Sequence, residues 1–196
     1  LLRNPLYRRI IQQQQLPPQN FRHPINTIRA TGLIAWSLLL ALPACADFTG
    51  KVVKVADGDT ITVLHDDERV KIRLSGIDAP EKAQPFGNDA RQNMTDMVFG
   101  KEVHVEERKK DRYGRTIGRV WIAADECKAS PACPMTLDVS LALLAQELAW
   151  HYKKYETDQP PEERGQYGRA EEEARSTQAG LWRDADPVPP WEWRRR

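Results

Sequence analysis

The chain has 196 residues, 40% of them hydrophobic and 29% charged, and a formal net charge of +1. That size allows one packed domain with additional segments, and the near-neutral balance excludes a protein that meets nucleic acid through a generally basic surface. Residues 1–46 carry Arg3, Arg8, Arg9, Arg22 and Arg29 and no acid, so the remainder holds 24 bases against 28 acids, about −4; any nucleic-acid contact must therefore be a local site.

Residues 1–26 hold the Gln12–Gln15 run and several prolines without an apolar period, and begin at Leu1. They are expected to be a disordered or over-extended N-terminal segment. Residues 27–46 read as a signal peptide: Arg29, the apolar run Gly32–Leu42, then Pro43-Ala44-Cys45-Ala46 as a small-residue cleavage site. The run is shorter than the roughly 20 residues a spanning helix needs. Leu42-Pro43-Ala44-Cys45 also loosely matches a lipidation site, which would place a lipid on Cys45. A periplasmic or secreted protein follows, with no stable membrane association unless Cys45 is lipidated. In an oxidising compartment Cys127 and Cys133, six residues apart, are expected to form a disulfide closing a small loop.

Residues 48–76 read as three strands. Val52, Val53 and Val55 precede the turn signal Asp57-Gly58; Ile61, Val63 and Leu64 follow it; Val70, Ile72 and Leu74 alternate with Lys71, Arg73 and Ser75. This parity puts Arg73 on the face opposite the three apolar residues. A helix is predicted from Asn88 to about Phe99, with Ala90, Met94, Met97 and Val98 on one face and Gly100 as the stop. Val103 and Val105 mark a fourth strand and Arg115–Ala123 a fifth. Leu137, Leu141, Leu144 and Leu148 predict an amphipathic helix from near Thr136, and a last helix is predicted over Glu163–Gln178 with Gly180 as its cap.

Three strands, a helix, two strands and then helices is not an alternating pattern. It predicts an α+β fold, a five-stranded OB-type β-barrel with about three helices packed outside, over residues 47–182. The tail, residues 183–196, contains Pro187, Pro189, Pro190, Trp191, Trp193 and Arg194-Arg195-Arg196. No regular element is predicted there; its arginines are expected in solvent and its tryptophans docked on the domain surface.

Asp57, Asp59, Asp78 and Glu81 crowd four carboxylates into two short segments. Like charges raise one another's pKa, so such a cluster asks for a cation, and oxygen ligands suit Ca²⁺ or Mg²⁺. Asp59 and Asp78 are candidate metal ligands with the backbone carbonyl of Ala79, while Asp57 makes the turn. An EF-hand is excluded, because Ile61 falls at the fifth position, where a ligand side chain belongs. Pro80 fixes the backbone before Glu81, a candidate general base for water. Arg73 and Arg115 suit the non-bridging oxygens of a phosphate. Tyr113 and Arg112 are candidate substrate contacts, and Tyr152 and Tyr155 suit either base stacking or core packing.

Three ordered segments, Val53-Lys54-Val55-Ala56-Asp57-Gly58-Asp59-Thr60, Ile72-Arg73-Leu74-Ser75-Gly76-Ile77-Asp78-Ala79-Pro80-Glu81 and Asp111-Arg112-Tyr113-Gly114-Arg115, resemble the staphylococcal nuclease (thermonuclease) family. The resemblance runs from about Lys51 to Trp182. It implies a monomeric, Ca²⁺-dependent endonuclease that cuts DNA and RNA, single-stranded or locally open, and leaves 3′-phosphates. By the same carry-over Asp59, Asp78 and Ala79 hold the metal, Arg73, Glu81 and Arg115 are catalytic, and Tyr113 contacts phosphate. The chain departs from the founding enzyme at Ala79, where that enzyme has Thr, in a shorter segment after Glu81, and in the inserted cysteine loop. The alternative is a non-catalytic nucleic-acid-binding OB-fold module. Scaffold-type relatives lose the carboxylates and arginines, whereas this chain keeps all five.

Overall fold

The valine-rich segments flanking Asp57-Gly58 pair across that turn, and the barrel grows from this hairpin. The computed structural model describes residues 47–124 and 133–196, with Arg9 and Gln12. The expected signal peptide, residues 27–46, and Cys127 of the expected disulfide lie outside the described residues. Strands β1 (Phe48–Val55), β2 (Thr60–His65) and β3 (Glu68–Leu74) form an antiparallel meander. A two-residue strand, β4 (Ile77–Asp78), follows, then α1 (Gly87–Val98), β5 (Glu102–Lys110) and β6 (Thr116–Ala123). β5 joins β1 on one side and β6 on the other, and β6 closes onto β3 in parallel, Ile72 abreast of Thr116 and Arg73 abreast of Ile117. The ring β3-β2-β1-β5-β6 is the expected five-stranded barrel. Closure leaves its strands paired on both sides and its alternate apolar residues inward. Val52, Ile61, Val63, Ile72, Leu74, Val103, Val105, Val120 and Ile122 fill the interior.

Helix α1 seals one end. Ala90, Met94, Met97 and Val98 are all buried, the face the periodicity predicted. The helix starts where Gly87 passes so close to Glu81 that a Cβ would lie 1.9 Å from the Glu81 carbonyl oxygen. Only glycine allows that approach, which explains how so short a segment joins Glu81 to α1.

The segment after the cysteines differs from expectation. Met135–Asp138 is a strand, β7, paired with β6, and the helix α2 occupies only Val139–Ala145. Asp138 sets the boundary: its Oδ1 accepts from the backbone N–H groups of Ser140 and Leu141, satisfying two donors at the helix start. Leu137 therefore belongs to the strand and Leu148 lies beyond the helix. All seven residues of α2 are buried, so the leucine period marked one face of a helix that is covered all round. A two-residue strand, β8 (Trp150–His151), pairs with β4.

The last long helix, α3 (Pro161–Ser176), starts with proline in its first turn and ends at Thr177. Gly180 is thus not its cap. It sits further on, at φ +53°, where a Cβ would meet the Glu147 carbonyl oxygen at 2.7 Å. The tail also departs from expectation, because Pro190–Trp193 forms a short helix, α4. Proline at its start fixes φ in helical range, and Trp191 packs against a cluster containing Trp150, Ala174, Leu181 and Trp182.

A buried polar network supports these elements. Asp138 accepts from Arg119 Nε at 2.7 Å and from the Tyr167 hydroxyl at 2.8 Å. Glu163 on α3 pairs with Arg108 and accepts from Gln159 Nε2 at 2.8 Å, and Gln159 Oε1 meets His151 Nε2 at 2.8 Å. The network ties α3 to β8, and β8 holds β4. Asp138→Ala removes a helix cap and leaves Arg119 with its longer, 3.7 Å pairing to Glu163; it is expected to cost roughly 3–5 kcal/mol, read as a lowered urea midpoint.

Candidate nuclease active site

The first site segment is a tight turn made by Asp57, whose Oδ1 accepts the Asp59 N–H at 3.1 Å. Gly58 lies against the second segment and α1; a Cβ there would be 2.7 Å from Ala79 Cβ and 2.8 Å from Ala90 Cβ. Its lack of a side chain lets the two acidic segments close up. Asp59 leaves the turn beside β3, where Leu74 N–H donates to its carbonyl at 2.8 Å. Its carboxylate is buried and its Oδ2 accepts the Ala79 N–H at 2.7 Å.

Arg73 joins the segments. Its Nη1 donates to the carbonyls of Leu74 and Ile77, both at 2.9 Å, and so braces the bend into β4. Gly76 makes this bend at φ +76°, a conformation few residues other than glycine adopt. Arg73 Nη2 then reaches Asp59 Oδ2 at 3.0 Å and Asp78 Oδ1 at 2.7 Å. The parity reading of this arginine holds: Ile72 and Leu74 point into the barrel, and Arg73 turns to the carboxylates.

Burial pushes the Asp59 carboxyl up to about 7, outweighing the pull of the Arg73 guanidinium, with Asp57 and Asp78 adding to the rise. Two buried acids beside Arg73 favour further positive charge, and Arg194 of the tail supplies part of it at Asp78. Glu81 stands at its rim, its side chain 39% exposed. Its N–H donates to Gln84 Oε1 at 3.1 Å, and Gln84 N–H donates back to the Glu81 carbonyl at 2.8 Å, so the backbone here is held by a reciprocal turn.

Arg115 is positioned by its own turn. Asp111 Oδ1 accepts from the N–H groups of Tyr113 and Arg115, both at 2.9 Å, and Oδ2 accepts from Arg115 Nε at 2.7 Å. Although desolvation opposes it, the Arg115 guanidinium with these two N–H groups holds the Asp111 carboxyl below its ordinary value. Barrel closure brings Arg115 near Arg73: Ile117 is abreast of Arg73, and Arg115 is two residues earlier, about 7 Å along an extended strand. Tyr113 is exposed, with the Arg112 guanidinium 4.8 Å and that of Arg115 5.6 Å from its ring centre.

Asp59, Asp78, Ala79, Arg73 and Glu81 thus lie together, and Arg115, Tyr113 and Arg112 form a neighbouring group. Ala79 makes its hydrogen bond to Asp59 through its N–H, not its carbonyl. Three residues escaped the sequence reading. Asp111 and Gln84 act through backbone turns, and Arg194, expected in solvent, lies against the acids. Its Nη2 is 2.7 Å from Asp78 Oδ2 and its Nη1 is 2.6 Å from Glu81 Oε1. The only hint was the pair Trp191 and Trp193 just before it, which signalled docking of the tail.

A barrel carrying buried carboxylates and arginines at one bend defines a phosphodiesterase-type OB fold. The family described as Staphylococcal nuclease homologue matches residues 71–184, and the chain belongs to that family. The match starts downstream of the Asp57–Asp59 turn, within the span from Lys51 to Trp182 that the motifs outlined. The chain is 45% identical to Protein ParB of Escherichia coli over 174 residues, 89% of this chain and 94% of that protein. It is 42% identical to a micrococcal nuclease of Shigella flexneri, over 81% of this chain and 87% of that one. An uncharacterized endonuclease of Escherichia coli O157:H7 is 40% identical, over 84% and 93% respectively.

Proposed function

We propose that the protein is a metal-dependent endonuclease that hydrolyses phosphodiester bonds of DNA and RNA with little sequence specificity. The observation that carries this reading is the buried pair Asp59 and Asp78, bridged by Arg73 with Glu81 at its edge. Membership of the nuclease family, and relatives named as nucleases, support it.

The donor set fits a hard cation. Among the described residues no group of three or more His, Cys, Asp or Glu side chains is arranged around a metal position. The expected ligands are accordingly two carboxylates, Asp59 and Asp78, with the Ala79 carbonyl and water, a set suited to Ca²⁺. The raised Asp59 carboxyl reports chiefly its burial, with the charges of Asp57 and Asp78 adding to it. When bound, Ca²⁺ supplies charge against the phosphate and a source of ordered water.

The remaining work belongs to side chains. Glu81, half exposed at the rim, accepts the proton of the attacking water. Arg73, its Nη groups held by two carbonyls and two carboxylates, places positive charge beside Asp78 against a phosphate and stabilises charge that grows on the non-bridging oxygens. Arg115, held in a fork by Asp111, does the same from the β6 side. Tyr113 and Arg112 contact the strand next to the scissile phosphate. Cleavage on the 5′ side of the phosphorus leaves 3′-phosphate ends. We further propose export through residues 27–46, a Cys127–Cys133 disulfide, and action as a monomer in the periplasm or outside the cell.

Single-stranded DNA incubated with the protein and Ca²⁺ is expected to be degraded to fragments ending in 3′-phosphate, and EDTA is expected to stop the reaction. Full activity in EDTA would overturn the metal assignment. Fragments ending in 5′-phosphate would overturn the direction of cleavage.

A further inference from the structure

The C-terminal segment covers the site with groups that match what the site would otherwise receive. Arg194 spans both oxygens of Asp78, with Nη2 at 2.7 Å from Oδ2 and Nη1 at 3.3 Å from Oδ1, and also reaches Glu81 at 2.6 Å. Trp191 stacks on Tyr152, the ring centres 5.3 Å apart and the planes within 19°. Tyr152 is itself beside the site, because its N–H donates to the Gly76 carbonyl at the bend Arg73 braces. Gln84 Nε2 donates to the Val188 carbonyl at 2.5 Å, so the residue that shapes the Glu81 turn also anchors the segment. Three separate contacts, ionic, aromatic and backbone, hold residues 187–196 over the acids.

We propose that this segment is an inhibitory strap: Arg194 competes with the divalent cation for Asp78 and occupies the Glu81 carboxylate that would take up the water proton, while Trp191 covers the Tyr152 face that a nucleobase would stack on. The proposal rests on the metal-dependent reading above. A guanidinium lying across both oxygens of a carboxylate takes up the directions a cation would use, and its charge repels one. The chemistry of the strap parallels that of the ligands it excludes: a cation on the carboxylates and a flat ring on Tyr152. Two ligands that exclude each other weaken each other's binding equally, so cation binding releases the strap and the strap raises the cation concentration needed.

The test is calorimetric titration of Ca²⁺ into the full chain, compared with Arg194→Ala and Trp191→Ala. Arg194→Ala is expected to bind Ca²⁺ about tenfold more tightly, the order of one charge-assisted contact. Trp191→Ala, which leaves every carboxylate untouched, is expected to shift affinity in the same direction by less. Unchanged or weaker Ca²⁺ binding in Arg194→Ala overturns the strap and leaves the metal reading standing. Unchanged Ca²⁺ affinity with weakened binding of single-stranded DNA makes Arg194 a phosphate contact, which also overturns it. Absence of Ca²⁺ binding in wild type and variants alike overturns both readings.

Discussion

Glu81→Gln is expected to lower turnover on single-stranded DNA by about 10²–10⁴-fold, the range of a lost general base. The fold should be indifferent to the change. The Glu81 backbone is held by Gln84 through main-chain and amide contacts that the variant retains. The amide keeps the shape of the side chain and loses its ability to accept a proton. Ca²⁺ binding should survive, because Glu81 is assigned to water and not to the metal. Circular dichroism melts, Ca²⁺ titration and initial rates separate these effects. A variant with wild-type rates would remove Glu81 from the chemistry, and one that also loses Ca²⁺ binding would make it a ligand.

Arg73→Ala is expected to be costly twice. Turnover should fall by about 10²–10³-fold, since the guanidinium directed at transition-state charge is gone. Stability should fall by roughly 3–5 kcal/mol in the absence of divalent ions, because Asp59 and Asp78 are left buried without that partner. The loss also frees the carbonyls of Leu74 and Ile77 at the bend that carries β4. Ca²⁺ should restore part of the stability, since a ligand that binds only the folded state stabilises it by mass action. Urea unfolding with and without Ca²⁺ reads this directly. A small stability loss that Ca²⁺ does not change would contradict the placement of Arg73 between two metal-binding carboxylates.

Much of the site was legible because its residues are bound to strand parity and to short, rigid turns. Alternation in Val70–Leu74 fixed the direction of Arg73, and Asp57-Gly58 announced a turn that delivers Asp59. The barrel was legible from the same alternation and the element order, while its closure rests on the parallel pairing of β3 with β6, which no local signal announces. What escaped lay in competition between local signals and long-range partners. Leu137 reads as helix by period, yet Asp138 satisfies helix-end donors and Ile122 pairs with Leu137, so the helix starts at Val139, three residues after Thr136. Gly180 reads as a cap but is spent on the approach to Glu147. Arg194 could not be found by spacing at all, since it meets Asp78 across 116 positions. A charged terminus reads as solvated unless something folds it back, and here Trp191 on Tyr152 does so.

The most telling measurement is the rate of single-stranded DNA cleavage against free Ca²⁺, with wild type and Glu81→Gln side by side. Wild type should rise from no detectable activity in EDTA to saturation, and Glu81→Gln should saturate at similar Ca²⁺ with a rate lower by about two orders of magnitude or more. Cleavage by wild type that is independent of Ca²⁺, or a Glu81→Gln rate equal to wild type at every concentration, would contradict a nuclease built on Asp59, Asp78 and Glu81.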